Sequence, residues 1–151
     1  MGKLILLDTG VWVACFLQED IFHAEADQLI RRLISAQTII VVPEILRAEV
    51  LNVVLRESLD KNRLKSINER FWSMAPGVQF RHGGIQFWNE FVPEQLSRLF
   101  LQTMDFLVAC YALYWEVEAF YSFDEKLNKA MRRIKPEIVK LKIRRGHVIE
   151  V

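Results

Sequence analysis

The sequence predicts an α/β fold with a mostly parallel sheet, and three observations support this prediction. Short apolar runs, typical of buried parallel strands, alternate with longer segments of helical periodicity. Such alternation is typical of βαβ units, whose right-handed crossovers bring the carboxyl ends of the strands to one edge of the sheet. Two of the runs are followed closely by a carboxylate, Asp8 and Asp124. Because ligands of open α/β sheets bind beyond that edge, we expect a site there.

The first half of the chain is predicted to contain two strands and four helices. The first strand is an apolar run that stops at Asp8, and Pro43 stands where the third helix should begin. The helices are expected over residues 11–18, 22–35, 44–57 and 60–74, and the second strand over residues 38–42.

The second half of the chain begins with a turn at Pro76 and Gly77. Strands are expected over residues 78–80, 119–122 and 138–143, and helices over 105–116 and from Asp124 to residue 134. Residues 81–84 resemble a loop, and the aromatic stretch 85–91 has no clear assignment. Pro93 is predicted to open a helix that runs through residue 101.

The bulk composition indicates one domain covering residues 1–151. The chain has 151 residues, of which 52% are hydrophobic, and it lacks a linker-like or repeated segment. Its longest apolar run, residues 106–115, is too short to cross a bilayer, and the N-terminus does not resemble a signal peptide. Cys15 and Cys110 lie in apolar helical patterns, which predicts reduced core thiols in a cytoplasmic protein.

Charge is unevenly distributed along the chain. The net charge is +1, but residues 129–151 carry 8 Lys or Arg and 2 Asp or Glu. A basic C-terminal segment on an acidic body indicates an anionic partner, although a solvated surface explains the same pattern.

Four acidic residues are the candidate site, although each has an ordinary structural explanation. Asp8, Asp105 and Asp124 stand where they would cap or begin helices, and Glu49 lies on a narrow polar stripe of an otherwise apolar helix. Strand ends and helix starts converge readily at one edge of a parallel sheet. Converging carboxylates repel one another unless a cation neutralises them, and Mg²⁺ or Mn²⁺ prefers such oxygen ligands.

The chain resembles the PIN domain family, and within it the VapC-type toxin ribonucleases. The resemblance rests on four segments: Leu-Leu-Asp8-Thr9, Val-Pro43-Glu-Ile-Leu-Arg-Ala-Glu49-Val-Leu-Asn52, Asp105-Phe-Leu-Val-Ala109-Cys-Tyr-Ala112 and Ser122-Phe-Asp124. It implies a three-layer α/β/α sandwich and a metal-dependent endoribonuclease that cleaves single-stranded RNA. Asp8, Glu49, Asp105 and Asp124 would be the catalytic residues and would hold Mg²⁺ or Mn²⁺, with Thr9, Asn52 and Ser122 as accessory residues.

The resemblance also implies partners, and it has limits. A toxin of this kind is expected to bind a cognate antitoxin and to form a homodimer, and the aromatic residues Phe87, Trp88 and Phe91 are candidates for that contact. Gly10 stands where Asn or Ser is usual, Ser122 replaces the commoner Thr, and the segment 81–100 is more aromatic than the family core.

Several functions remain open at the level of sequence. A non-toxin PIN nuclease of RNA processing and a non-catalytic interaction module would share this fold. A phosphatase or receiver domain built on Asp8 is disfavoured, because Gly10 replaces the second Asp of such phosphatases and no Lys stands at a late strand end. The basic residues predicted to bind RNA are Arg132, Arg133, Lys140 and Lys142.

Overall fold

The computed structural model describes residues 2–74 and 76–151 and contains a parallel sheet of four strands in the order β3-β2-β1-β4. The strands are β1 (Leu4–Leu7), β2 (Ile39–Pro43), β3 (Val78–Arg81) and β4 (Ala119–Tyr121). All pairings within this sheet are parallel. The predicted α/β fold with a mostly parallel sheet is therefore confirmed.

Eight α-helical segments surround this sheet in the described residues. They are α1 (Thr9–Phe16), α2 (His23–Ser35), α3 (Glu44–Ser58), α4 (Lys61–Ser73), α5 (Gly84–Gln86), α6 (Val92–Gln95), α7 (Thr103–Tyr114) and α8 (Glu125–Ile134). Aspartate side chains cap the first turns of three of them, namely Asp8 for α1, Asp60 for α4 and Asp124 for α8. These caps satisfy backbone N–H groups that a helix N-terminus leaves without partners.

The order of the strands separates the helices into two layers. The chain passes from β1 to β2 to β3 in one direction, so right-handed crossovers place α1 to α4 on one face of the sheet. The connection from β3 to β4 runs back in the opposite direction and places α7 on the other face. The contacts between helices agree with this division into two layers, because α1 contacts α2 and α3, whereas α7 contacts α8. The fold is thus the predicted three-layer α/β/α sandwich.

The sheet forms the centre of the hydrophobic core. Leu6, Leu7, Val41 and Phe120 have no exposed surface, as expected for parallel strands covered on both faces. Burial of each such side chain contributes about 1.5–3 kcal/mol relative to leaving it in water. The core therefore holds the carboxyl ends of β1 and β4 in a rigid position.

The aromatic segment differs from its prediction. It is helical from α5, through a π-helical turn at Phe87–Phe91, to α6, and it ends at Gln95 instead of residue 101. The reason is tertiary packing, because the fully buried ring of Phe87 stacks on Tyr111 of α7 with ring centroids 4.1 Å apart. Pro93 lies in the first turn of α6, directly after the π-helical turn.

The C-terminal segment also differs from the single strand predicted over residues 138–143. Its strands are β5 (Leu141–Arg144) and β6 (His147–Glu150), which pair antiparallel as a hairpin. The two-residue turn consists of Arg145 and Gly146, whose φ angles are 51° and 76°. Positive φ at both positions is typical of a type I′ turn. Lys140 precedes β5 and therefore lies outside the strand, contrary to the prediction.

Both cysteines are buried, as the apolar helical patterns around them predict. Cys15 and Cys110 are buried free thiols, and burial raises the pKa of Cys15 to about 11 and that of Cys110 to about 12. Across residues 2–74 and 76–151, every helix is too short or too polar to span a membrane.

Candidate active site

Asp8 lies at the carboxyl end of β1, where the strand gives way to α1. Its backbone N–H donates to the carbonyl oxygen of Tyr121 on β4 at 2.9 Å. Its Oδ1 accepts the N–H of Thr9 at 2.8 Å, and the residue is only 6% exposed. Asp8 is therefore a helix cap and also a buried acid at the carboxyl edge of the sheet.

Ser122 connects the carboxyl ends of β1 and β4, the two strands that are followed by acids. Its hydroxyl group is fully buried and donates to Oδ2 of Asp8 at 2.8 Å. The same hydroxyl oxygen accepts the N–H of Asp124 at 3.0 Å. Oδ1 of Asp124 in turn accepts the N–H groups of Lys126 and Leu127 at 2.8 and 3.2 Å. The turn after β4 thus joins the backbone of Asp124 to the side chain of Asp8 through one hydroxyl group.

Thr9 links the end of β1 to α3. Its hydroxyl group donates a hydrogen bond to Oε2 of Glu49, which is 40 residues away in the sequence. Asn52 lies one turn further along α3 and is exposed. Gly10 is also exposed, and a Cβ atom at that position would meet nothing within 4 Å. Packing therefore leaves room for the Asn or Ser that is usual there in the family.

Asp105 lies half-buried in the first turn of α7, while Gln102 occupies the cap position. Burial raises the pKa of Asp105, and the charges of Asp124 and Glu49 raise it further. Lys126 acts in the opposite direction. A carboxyl group responds in this way when the other acids are its neighbours.

The pKa of Asp8 shows the same influence more strongly. Burial is the largest cause and raises this pKa from 3.8 to about 7, while the hydrogen bond from Ser122 opposes the rise. The negative charges of Asp105 and Glu49 raise it further. We call the four residues that interact in this way the acid cluster: Asp8, Glu49, Asp105 and Asp124.

The acid cluster is not a closed metal cage. Among the residues that the structure describes, no group of three or more His, Cys, Asp or Glu side chains is close enough to hold a metal ion as placed. The acids can raise one another's pKa without forming such a site, because charges interact over about 10 Å. A bound Mg²⁺ ion, in contrast, lies only about 2 Å from each oxygen that coordinates it. As placed, the four acids do not form a coordination site for a single ion.

The chemistry of the acid cluster fits a hard divalent cation. Its donor atoms are all carboxylate oxygens, and hydroxyl groups of Thr9 and Ser122 hold two of the acids. None of the ion pairs found within the described ranges includes one of the four acids. Their mutual repulsion is therefore uncompensated by basic side chains in contact with them, and a bound cation would relieve it.

Asn128 is a site residue that the sequence analysis missed. It is fully buried on α8, and its Nδ2 donates to the carbonyl oxygen of Ser122 at 2.9 Å. Its Oδ1 is buried without a hydrogen-bond partner in the described part of the protein. The signal was present, because Asn128 falls between Leu127 and Met131 on the apolar face of the helix. A polar residue on such a face usually has a hydrogen-bonding role.

The basic residues predicted to bind RNA differ in their surroundings. Arg132 donates to Oε1 of Glu125 and to the carbonyl oxygen of Leu141, and Lys140 donates to the carbonyl oxygen of Glu137. Arg133 on α8 and Lys142 on β5 are exposed. The structure therefore engages two of the four in internal contacts and leaves the other two open to solvent.

Comparison with known proteins places this architecture in a family. A profile described as "PIN domain" matches residues 5–133. A search of curated proteins gives no match. Among solved structures, the chain is similar to VapC20 of Mycobacterium tuberculosis, described as a sarcin-ricin loop cleaving toxin, with a TM-score of 0.67 and 16% identity over 83% of this chain and 94% of that one.

A second similar structure is VapBC2 from Rickettsia felis, bound to a DNA fragment from its promoter. The TM-score is 0.65 with 17% identity, and the alignment covers 90% of this chain and 96% of that one. At such identities these likenesses show the fold, and they agree with the profile that spans most of the chain. The chain therefore belongs to the PIN domain family.

Proposed function

We propose that this protein is a metal-dependent endoribonuclease that cleaves single-stranded RNA and is the toxin component of a toxin–antitoxin pair. The observation that carries the proposal is the acid cluster at the carboxyl edge of a parallel sheet, where Thr9 bonds to both Asp8 and Glu49 and Ser122 bonds to both Asp8 and Asp124. Membership of the PIN domain family supports a nuclease, and the similarity to VapC20 and VapBC2 supports a toxin.

Asp8, Glu49, Asp105 and Asp124 are the residues that would hold Mg²⁺ or Mn²⁺. A cation at this position supplies a Lewis acid for phosphate oxygens and a water of lowered pKa. The chain's own contribution is positioning. Ser122 and the N–H of Thr9 hold both oxygens of Asp8, and the hydroxyl group of Thr9 holds one oxygen of Glu49. Such contacts fix the direction in which each carboxylate presents its free lone pairs.

The test compares cleavage of single-stranded and double-stranded RNA of the same sequence, with EDTA and with Mg²⁺ or Mn²⁺ added back. We expect cleavage of the single strand only, abolished by EDTA and restored by the metal. Asp8→Asn should nearly abolish turnover because it removes a charge and keeps the shape of the side chain. Asp60→Asn is the matched control, since Asp60 caps α4 outside the site. Undiminished cleavage in EDTA would overturn the proposal.

An antitoxin and a second copy of the chain are the partners that we propose, in a cytoplasmic setting. The structure of VapBC2 supports an antitoxin of the kind found with similar proteins. Of the three aromatic residues considered for this contact, Phe87 is fully buried, Phe91 is half-buried and Trp88 is 45% exposed. Trp88 is thus the one best placed to contact a partner, beside Ile85, which is 79% exposed.

A further inference from the structure

The C-terminal hairpin extends past the edge of the sheet at which the acid cluster lies. Val139 pairs in parallel with Phe120, which places Leu141 about level with Ser122. Arg144 is three residues further along β5, so at about 3.3 Å per residue the strand reaches roughly 10 Å beyond the level of Ser122. The turn of the hairpin therefore lies beyond the carboxyl edge of the sheet, on the β4 side.

The hairpin is fixed to the residue that follows Asp124. Oε2 of Glu125 accepts a hydrogen bond from the N–H of Ile143 at 2.8 Å. Oε1 of the same side chain accepts one from Nη1 of Arg132 at the same distance. Arg132 also donates to the carbonyl oxygen of Leu141 at 2.9 Å. These bonds tie β5 to the start of α8, so the position of the tip relative to Asp124 is set by direct contacts.

A second contact holds the other strand of the hairpin. Arg32 on α2 donates to Oε1 of Glu150 on β6 at 2.8 Å. Leu141 is buried and Val148 packs against the core. The hairpin is thus held from two helices, and its type I′ turn adds a short and well-defined tip.

The tip of the hairpin carries exposed positive charge. Lys142 and Arg144 alternate with inward-facing residues, so both lie on the outer face of β5 and are exposed. Arg145 is exposed in the turn. Within residues 2–74 and 76–151, these three side chains take part in no ion pair and no side-chain hydrogen bond. Arg132 and Lys140 differ, because internal contacts engage both.

We propose that Arg144 and Arg145 at the hairpin tip bind phosphates of the RNA strand beside the acid cluster. The inference rests on the proposed function and names the surface that holds its substrate. A polyanion next to four carboxylates needs cations to hold its backbone, and exposed guanidinium groups bind phosphate with two parallel hydrogen bonds. The bond from Ile143 to Glu125 holds the strand that carries the tip against the residue next to Asp124.

The test measures binding of a fluorescently labelled single-stranded RNA of about 12 nucleotides, a length within the usual site size of single-strand binders. The Asp8→Asn protein serves as the background, so that cleavage does not interfere. Arg144→Gln with Arg145→Gln should weaken binding roughly tenfold and reduce the slope of log affinity against log salt by about 1.4, because two phosphate contacts are lost.

The matched control makes the same charge change elsewhere. Lys61→Gln with Lys65→Gln removes two exposed lysines of α4 and should leave affinity and salt slope close to those of the background. Thermal melting should show that both double variants are folded.

The outcomes separate this inference from the proposed function. If the wild-type protein cleaves RNA and the tip variant in the Asp8→Asn background binds RNA as tightly as that background does, the inference is overturned and the proposed function stands. If the wild type does not cleave but binding still depends on the tip, the inference stands and the catalytic proposal falls. If the tip and control variants lose affinity equally, the effect is one of net charge and the inference is also overturned.

Discussion

Replacing Asp8 with asparagine should stabilise the metal-free protein at neutral pH while removing its activity. In the unfolded chain Asp8 releases its proton at its ordinary pKa of 3.8, whereas in the folded protein it keeps the proton until about pH 7. The folded state therefore binds more protons between these values, and the free energy of unfolding falls as the pH rises through that range. The Asp8→Asn side chain carries no charge and would not suffer this loss.

The magnitude follows from the size of the pKa difference. The pKa rises from 3.8 to about 7, and each tenfold change in proton affinity corresponds to about 1.36 kcal/mol, so the loss at Asp8 above pH 7 is at most about 4 kcal/mol. The asparagine side chain has an NH₂ group in place of the oxygen that accepts the hydrogen bond from Ser122, and losing this bond costs about 1–2 kcal/mol. We therefore expect the Asp8→Asn protein to be more stable than the wild type by about 2–3 kcal/mol near pH 8.

The assay is denaturant unfolding in EDTA at several pH values between 4 and 8. The wild type should lose stability as the pH rises, and the Asp8→Asn protein should lose much less. Near pH 4 the variant should be the less stable of the two, since only the cost at Ser122 remains. Added Mg²⁺ should stabilise the wild type at pH 8 and have little effect on the variant.

The control is an acid whose pKa moves in the other direction. Arg31 holds the pKa of Asp27 below its usual range, so Asp27→Asn should lose stability above pH 4 instead of gaining it. If Asp8→Asn is destabilised equally at every pH from 4 to 8, the reasoning from burial and like-charge repulsion is refuted.

Three further predictions concern contacts around the site and the exposed aromatic surface. Thr9→Val keeps the shape of the side chain but removes the hydroxyl group that donates to Glu49. The value of kcat should therefore fall about tenfold with little change in melting temperature, and an unchanged kcat would contradict this prediction. Asn128→Ala should cost about 1–3 kcal/mol in denaturant unfolding, because it removes the hydrogen bond to Ser122 and leaves a cavity, and it should also lower kcat. Trp88→Ala should shift a dimer towards monomer in sedimentation velocity, whereas a wild-type protein that is already monomeric would argue against the proposed dimer contact.

Local sequence patterns were enough to predict the elements that carry Asp8 and Asp124. A buried parallel strand requires a continuous apolar run, and the acid that ends the run marks the end of the strand. Because such crossovers have one hand, these two ends were expected at one edge, and Ser122 indeed donates to Asp8 there. Glu49 and Asp105 were expected only from the resemblance to the PIN domain family. Thr9 donates to Glu49, and the charges of both acids raise the pKa of Asp8.

Other features were beyond the reach of local patterns. The helix over Phe87 forms because its ring packs on Tyr111, and nothing in residues 85–91 indicates that distant partner. The turn at Arg145 and Gly146 lacks the Asn-Gly signature of a type I′ hairpin, so the pattern predicts one strand where the structure has two.

The sequence by itself determined the fold class, the strand-end acids and the excess of charge at the C-terminus, because periodicity and composition record which residues are buried and which are solvated. Only the tertiary structure decided that Thr9 holds Glu49, that Asn128 holds the turn at Ser122, and that Arg132 is engaged while Arg144 and Arg145 are free of ion pairs in the described residues. These contacts join segments that are distant in the chain or depend on the register of a hairpin. Register and packing are properties of the whole folded chain, and a local pattern does not contain them.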